Sequence, residues 1–200
     1  MKLLLFSDIH VNKHYCELIV AKSAEADMVV GAGDFGSFRR GIVKTISWLK
    51  EISTPTVLVP GNAESFEELQ SASEQWPSAN VLHGSCVELN DITFFGIGGG
   101  VPITPFGSWS YDFSEEEAEE LLMNCPMGSV LVSHSPPYGT LDLSSHGRHL
   151  GSTAVRKTIE DKSPKLVVCG HIHESGGKMF RFGDTMVINA GPNGIIYQVD

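Results

Sequence analysis

Basic side chains are scarce in this sequence. Its 200 residues include 14 lysines and arginines against 24 aspartates and glutamates, which gives a formal net charge of −10 at pH 7. Binding to a nucleic-acid backbone needs clustered lysine and arginine to displace counterions, and the sequence has no such cluster of basic residues. We therefore expect no long nucleic acid among the partners of this protein.

Long apolar runs are absent as well. No stretch approaches the roughly 18 consecutive apolar residues that cross a bilayer, so we expect no membrane partner. The apolar opening at residues 1–6 is followed by Asp8, which comes too early for a secretory signal. With 42% hydrophobic residues the chain can still bury a sizeable core, and its length predicts one domain over residues 1–200.

Cysteines are few and widely spaced. The sequence contains 4 of them, at Cys16, Cys86, Cys125 and Cys169. No two form a C-x-x-C pair, which is the spacing typical of many zinc and redox sites. We expect reduced, mostly buried thiols in a cytoplasmic protein.

Short apolar runs alternate with longer stretches of helical composition, a pattern typical of layered α/β proteins. The runs are too short for helices and too uniformly apolar for half-exposed strands. We predict buried strands at residues 3–6, 28–30, 57–59, 130–132 and 166–168. We predict helices at about 13–25, 39–52, 65–76, 114–123 and 152–162, two of them opened by the capping boxes Ser65/Glu68 and Ser114/Glu117.

The second half of the chain has a different pattern of predicted elements. Residues 80–97 and 178–199 are predicted as further strands separated by short turns at Asn90-Asp91, Gly183-Asp184 and Pro192-Asn193-Gly194, and residues 98–113 as a long loop. A purely parallel doubly wound sheet would not end in this way. We therefore predict an α/β fold of two mixed β-sheets, packed together and flanked by helices in a four-layer αββα sandwich.

Polar residues follow each of the five predicted strands at the point where the strand ends. In sheets flanked by helices, ligands bind beyond the carboxyl ends of the strands, where loops converge. Five such endings predict one shared site. They are Ser7-Asp8-Ile9-His10, Gly33-Asp34, Gly61-Asn62, Ser133-His134 and Gly170-His171-Ile172-His173.

The spacing of these residues suits metal ligation. In extended backbone, residues i and i+2 point to the same side, so Asp8 and His10 can reach one ion together, and the same geometry would bring His171 and His173 into the site as neighbours. Oxygen and nitrogen donors without cysteine suit Mn²⁺, Fe, Zn²⁺, Co²⁺ or Ni²⁺. The candidates exceed the needs of one ion, which favours two divalent ions that share one carboxylate.

Five short motifs follow one another between Asp8 and His173: D-x-H, G-D, G-N, an isolated H and G-H-x-H. In this order they resemble the motifs of the calcineurin-like metallophosphoesterases. The resemblance implies a two-sheet core with a binuclear metal centre at the strand ends. Carried over block by block, it implies that one ion is held by Asp8, His10 and His173. The second would be held by Asn62, His134 and His171, and Asp34 would bridge the two.

The resemblance also implies an activity. The expected function is metal-dependent hydrolysis of phosphoester bonds by a hydroxide that bridges two metal ions. Small phosphodiesters are the expected substrates, because the chain is short and shows no inserted substrate domain.

One position departs from the family pattern. The family has a histidine after G-N that is thought to protonate the leaving group, whereas this chain has Ala63, followed by Glu64. An alternative function is therefore a metal- or nucleotide-binding module with little turnover. The loop at 146–149 offers His149 as a replacement proton donor and Arg148 as a phosphate contact.

Several further side chains have two interpretations each. Glu64 and Glu174 either orient a ligating histidine or simply cap a helix or face solvent. The aromatic residues of the long loop, such as Phe106 and Trp109, either stack on a base or aryl group or pack the loop. His83 is predicted to be structural.

Overall fold

The computed structural model describes residues 1–199, and this part of the chain folds into helices and strands that alternate through most of its length. The strands are β1 (Lys2–Phe6), β2 (Met28–Gly31), β3 (Thr56–Leu58), β4 (Ala79–Val81), β5 (Ser85–Leu89), β6 (Ile92–Ile97), β7 (Val130–Ser133), β8 (Leu166–Cys169), β9 (Met179–Phe182), β10 (Thr185–Asn189) and β11 (Ile195–Gln198). The helices are α1 (Lys13–Ser23), α2 (Ile42–Leu49), α3 (Phe66–Ser73), α4 (Glu115–Leu122) and α5 (Thr153–Lys162).

The strands form two mixed sheets, which confirms the predicted fold class. The first sheet has the order β11-β1-β2-β3-β4, with β11 antiparallel at one edge and the other strands parallel. The second has the order β5-β6-β7-β8-β10-β9, in which only the edge strands β5 and β9 are antiparallel to their neighbours. The parallel strands of each sheet therefore end at a common edge.

Alternate residues of the central strands pack in different layers of the core. Leu3 and Leu5 of β1 lie in the core between the two sheets, while Leu4 and Phe6 pack in the core that includes residues of α1, α2 and α3. A third core joins the second sheet to α4 and α5. Because both faces of each sheet are covered, the central strands are uniformly apolar and not alternating.

Local sequence signals fix most helix starts. Both predicted capping boxes are present, at Ser65 before α3 and at Ser114 before α4. The predicted helix at 39–52 begins later, at Ile42, because residues 37–40 form a tight turn and Gly41 precedes the helix with φ of 81°. A backbone in the left-handed region cannot continue a right-handed helix, so the turn ends before α2 begins.

The chain crosses between the sheets at two places that the sequence did not specify. After β4 completes the first sheet, β5 begins the second, and after β10 the chain returns so that β11 pairs with β1. The predicted turn at Asn90-Asp91 connects neighbouring strands as expected. The turn at 192–194, in contrast, joins strands of different sheets.

None of the helices within residues 1–199 is long and apolar enough to cross a membrane.

His83 lies beneath the long loop and supports it through a neutral imidazole. Its Nδ1 accepts a hydrogen bond from the Gly98 amide at 3.1 Å, and the rings of Phe113 and Tyr111 lie 5.0 and 5.8 Å away. Burial lowers the pKa of His83 below its usual value, although the charge of Glu67 opposes the shift. Only a ring that carries no proton on Nδ1 can accept this bond, which supports the structural interpretation.

We expect His83 to make the stability depend on pH. Because its pKa is lower in the folded chain than the usual value of about 6.5, its contribution is complete above that value and is lost as the pH falls below it. The difference in unfolding free energy between the metal-free wild type and His83→Phe should therefore shrink between pH 7.5 and pH 5.5. Chemical denaturation at both pH values measures it, and parallel pH profiles of the two proteins would contradict the assignment.

Candidate metal centre

The seven predicted ligands meet at one edge of the two sheets. They come from the loops that follow β1, β2, β3, β7 and β8, as the strand endings predicted. The side chains of Asp8, Asp34, Asn62 and His134 are buried, and the His173 side chain is 63% exposed. The group thus extends from the interior to the surface, where a ligand can reach it.

Three of these side chains form a first set. Nε2 of His10 lies 3.2 Å from Nε2 of His173, and that atom of His173 lies 3.7 Å from Oδ1 of Asp8. One N or O atom from each of the three lies within 4.8 Å of the others, close enough to share an ion.

Three more side chains form a second set beside the first. Oδ1 of Asn62 lies 3.3 Å from Nε2 of His134 and 3.1 Å from Nδ1 of His171. Asp8, Asp34 and His134 also present atoms within 4.8 Å of one another, so the two sets are contiguous.

Asp34 lies between the sets with one oxygen toward each. Its Oδ2 is 3.5 Å from Nε2 of His10, and its Oδ1 is 3.5 Å from Nε2 of His134. The Ala63 amide donates to Oδ1 at 2.9 Å, which holds the carboxylate in this orientation. A carboxylate placed in this way is able to bridge two ions.

Backbone carbonyls orient two of the imidazoles. Nδ1 of His10 lies 3.1 Å from the carbonyl oxygen of Gly36, and Nδ1 of His134 lies 2.8 Å from that of Ala32. A proton on Nδ1 donates to each carbonyl, so in the neutral form of each ring the lone pair is on Nε2, which faces the centre. No sequence signal points to these carbonyl partners, because they depend on how the loops approach each other.

Electrostatics keeps Asp8 charged although it is buried. Burial by itself would raise its pKa, but the His173 imidazole 3.7 Å away, the charge of His134 and the hydroxyl of Ser7 outweigh burial and lower the pKa to about 2. The Ser7 hydroxyl donates to Oδ2 at 2.5 Å and the His171 amide to Oδ1 at 3.0 Å. Asp8 is therefore an anion at neutral pH.

The imidazoles respond to the same surroundings in different ways. Burial, assisted by the nearby His134, lowers the pKa of His171 to about 4, so this ring is neutral and can donate a lone pair. The nearby Asp8 carboxylate raises the pKa of His173 above its usual value.

Four of the seven candidates have left-handed backbone conformations. The φ angles are 57° at Asp8, 45° at His10, 59° at Asp34 and 66° at His171. Residues other than glycine rarely adopt these angles, which cost free energy and occur most often at functional sites. Their concentration at one edge of the sheets supports a functional role for this cluster.

Gly33 shows how closely the loops approach each other. A Cβ atom at this position would lie 2.6 Å from Nδ1 of His134 and 2.7 Å from the Cα of Gly61. Its φ of +92° also favours glycine. The glycines beside the predicted ligands therefore allow loops from two strands to meet.

Glu64 joins two of the ligand-bearing loops. It is 1% exposed, and its carboxylate accepts hydrogen bonds from the amides of Phe35 at 3.2 Å, Gly36 at 2.8 Å and Gly61 at 2.8 Å. Burial and the charge of Asp34 raise the pKa of Glu64 to about 7, against the lowering effect of the Gly61 and Gly36 amides.

Neither sequence interpretation of Glu64 anticipated this role. The carboxylate does not orient an imidazole and does not face solvent; it binds the backbone of the loops that carry Asp34 and Asn62. Glu174, the other glutamate next to a predicted ligand, is exposed and lines the cavity described next.

A cavity of about 510 Å³ opens over the candidate ligands. Its floor includes His10, Asp34, Asn62 and His171. Ala63, which occupies the position of the family histidine, also lines it. A small molecule in this cavity would therefore contact both sets of ligands and the methyl group of Ala63.

Arg148 and His149 do not line this cavity, although Ser144 and Leu150 of the same loop do. Nδ1 of His149 lies 2.8 Å from Oδ1 of the buried Asp142, and its ring lies 5.5 Å from that of Tyr138. The structure thus brings the seven predicted ligands together, whereas His149 is held by Asp142 outside the cavity lining, on the loop whose Ser144 and Leu150 form part of that lining.

The two-sheet sandwich and this cluster of aspartate, asparagine and histidine at the strand ends define a calcineurin-like phosphoesterase. The profile of the calcineurin-like phosphoesterase superfamily domain matches residues 1–196, and the chain belongs to this family. Its members depend on a pair of divalent metal ions.

Two further proteins are similar to this chain in sequence. The chain is 34% identical over 177 residues to the uncharacterized protein MJ1162 of Methanocaldococcus jannaschii, a match that covers 84% of this chain and 78% of that protein. It is 29% identical over 201 residues to metallophosphoesterase domain-containing protein 1 of Homo sapiens, which covers 86% of this chain and 61% of that protein.

A solved structure shows the same fold. The crystal structure of TT1561 of Thermus thermophilus aligns with a TM-score of 0.77 at 19% identity, covering 96% of this chain and 90% of that one.

Proposed function

We propose that this protein hydrolyses small phosphodiesters with the help of two divalent metal ions. The position of Asp34 carries the proposal, since its two oxygens face separate sets of nitrogen and oxygen donors. In this assignment one ion is held by Asp8, His10, His173 and Asp34. The other is held by Asp34, Asn62, His134 and His171.

The donor set fits divalent ions. The structure pairs Asp8 and Asp34 with histidines, and no lysine or arginine among residues 1–199 forms an ion pair with either. Buried carboxylates need a compensating cation. Imidazole and carboxylate donors without cysteine suit Mn²⁺, Fe, Zn²⁺, Ni²⁺ or Co²⁺.

Two ions held by these ligands would supply positive charge for the phosphate oxygens and would activate a water molecule for attack on phosphorus. The side chains of this protein fix the geometry. Asp34 and Asn62 are held by the Glu64 contacts, and the imidazoles of His10 and His134 by backbone carbonyls.

Two properties of the whole chain belong to the same proposal. The core shared by the two sheets supports one domain over residues 1–200. The free thiols of Cys16, Cys86, Cys125 and Cys169 support a reducing, cytoplasmic location.

Hydrolysis of bis(p-nitrophenyl) phosphate tests the proposal. Protein loaded with Mn²⁺, Fe²⁺, Zn²⁺, Ni²⁺ or Co²⁺ should release p-nitrophenol with at least one ion, and the chelated protein should not. Tight metal binding without turnover on this and other phosphoesters would instead establish the alternative, a metal-binding module with little activity. Ala63 is the observation that favours this alternative, because it cannot donate a proton.

We further propose that His149 supplies the missing proton and that Arg148 contacts the phosphate. Their position on the loop whose Ser144 and Leu150 line the cavity supports this role. His149→Ala should then slow hydrolysis of alkyl esters and spare p-nitrophenyl esters, whose leaving group departs without a proton. Steady-state rates on both ester types measure the effect, and equal rates for the variant and the wild type on both would exclude His149 from proton transfer.

The substitution Ala63→His tests the departure from the family pattern. In the His149→Ala variant we expect rates that fall steeply as the pKa of the leaving group rises, because neither position 149 nor position 63 can then donate a proton. A histidine at position 63 should raise rates for poor leaving groups by up to about 10²-fold and flatten the dependence. Glu64 is occupied by backbone amides and would not orient the new ring.

A series of aryl and alkyl phosphodiesters measures the slope in His149→Ala with and without the added histidine. A shallow slope in His149→Ala alone would contradict the prediction and indicate another proton source.

A further inference from the structure

The cavity over the candidate ligands has an aromatic wall, formed by Phe38, Phe106 and Trp109. The ring centroids of Phe38 and Trp109 are 4.8 Å apart, and those of Phe106 and Trp109 are 5.5 Å apart in a stacked arrangement. Phe38 is 67% exposed and Phe106 is 50% exposed. These rings belong to none of the three cores and instead face solvent at the cavity.

The wall is tied to the ligand-bearing loops. Phe38 sits in the tight turn at 37–40 with φ of 49°, and the neighbouring Arg39 amide donates to the Ala63 carbonyl at 3.0 Å. On the other side, the Tyr111 amide donates to the Asn62 carbonyl at 2.9 Å. Both aromatic segments are thus fixed next to residues 62 and 63, at the floor of the cavity.

The charges in the cavity limit the phosphate groups that it accepts. Asp34 and Glu174 line it together with several histidines, and no lysine or arginine lines it in the part of the chain that the structure describes. One phosphate can bind at the metal ligands, with Arg148 as its proposed contact from the rim, but a second or third would meet no further lysine or arginine in the cavity lining within residues 1–199. The cavity therefore suits esters of a single phosphate.

The apolar surface serves the organic part of such an ester. A cavity of about 510 Å³ lies within the range of small-molecule sites. Exposed rings beside a polar floor favour a flat partner, because planar groups stack on aromatic side chains. Leu150, which is 43% exposed, adds apolar surface to the same cavity.

We infer that the aromatic wall binds a planar aromatic group of the substrate, so that the preferred substrates are aryl or nucleoside esters of a single phosphate. This inference rests on the proposed function, because the phosphate of the same molecule must lie at the metal ligands. It assigns substrate selection to Phe38, Phe106 and Trp109 and leaves hydrolysis to the metal centre.

Calorimetric titration of the Mn²⁺-loaded protein with matched, non-hydrolysable phosphonates tests the inference. One pair is phenylphosphonate and methylphosphonate. The other is the phosphonate analogue of a nucleoside 5′-monophosphate and that of ribose 5-phosphate. We expect the aromatic member of at least one pair to bind about tenfold more tightly, the effect of one stacking contact. Discrimination in the second pair only would identify a nucleobase as the planar group.

Two variants locate the effect. Phe106→Ala should reduce the preference for the aromatic member to within about twofold and leave the affinity for methylphosphonate unchanged. Phe180→Ala is the matched control, since Phe180 is also 50% exposed but lies on the edge strand β9, and it should keep the preference. Loss of methylphosphonate binding in Phe106→Ala would overturn the inference by showing a merely structural role.

The outcomes separate the inference from the proposed function. Equal binding within both pairs in the wild type would overturn the inference and leave the proposed function intact. Absence of binding by every phosphonate from a protein that still hydrolyses bis(p-nitrophenyl) phosphate would also overturn the inference alone. Absence of both binding and hydrolysis would overturn the proposed function, and the inference with it.

Discussion

Asp34→Ala should lose both metal ions and reduce hydrolysis by at least about 10³-fold. The carboxylate faces His10 with one oxygen and His134 with the other, each at 3.5 Å, so its removal takes a ligand from both positions. Charge stabilisation by bound ions contributes several kcal/mol to such reactions, and each 1.36 kcal/mol is a factor of ten in rate. Metal analysis of the purified variant and its steady-state rate measure the two effects.

His10→Ala is the control for this prediction. His10 belongs to the first set of donors, so this variant should chiefly empty one position and keep the second ion. Thermal denaturation without metal should show that both variants are folded. Two tightly held ions in Asp34→Ala would contradict the bridging assignment.

Glu64→Ala should destabilise the fold and weaken metal binding together. Removing the carboxylate leaves the buried amides of Phe35, Gly36 and Gly61 without their acceptor. Each unsatisfied amide costs about 1–3 kcal/mol, so we expect a loss of about 3 kcal/mol or more. For a chain of this size that corresponds to a fall of about 10 °C in Tm.

The effect of Glu64 on metal affinity follows from the same contacts. The three amides belong to the loops that carry Asp34 and Asn62, so their release loosens ligands in both sets. We expect a decrease of about 10–100-fold in metal affinity, as is typical when the partners that orient ligands are removed. Thermal denaturation of the metal-free protein and calorimetric metal titration measure the two losses separately.

Glu174→Gln is the matched control for Glu64→Ala. Glu174 also lies next to a predicted ligand, but it is exposed, and surface substitutions of this kind change stability by less than about 0.5 kcal/mol. If Glu64→Ala were as stable as Glu174→Gln, the carboxylate would not hold the loops together.

The class of fold and the residues of the site follow from local sequence patterns. Uniformly apolar strands such as residues 130–132 have to be covered on both faces, and this requirement leads directly to a layered α/β structure. The polar strand endings contain all seven side chains that the structure brings together, because parallel strands deliver their carboxyl ends to a common edge. Capping boxes fixed the starts of α3 and α4 for an equally local reason.

The way in which distant segments meet depends on the packing of the whole chain. β11 pairs with β1 and not with β10, its neighbour in the sequence. This pairing depends on which sheet edge is free, and the sequence of residues 192–194 does not predict it. Glu64 binds two loops through backbone amides, whose positions no side-chain pattern encodes. The aromatic wall likewise combines Phe38 with Phe106 and Trp109, about seventy residues away in the chain. Local sequence specifies local conformation and burial, whereas contacts between loops arise only when the packed sheets hold the loops in place.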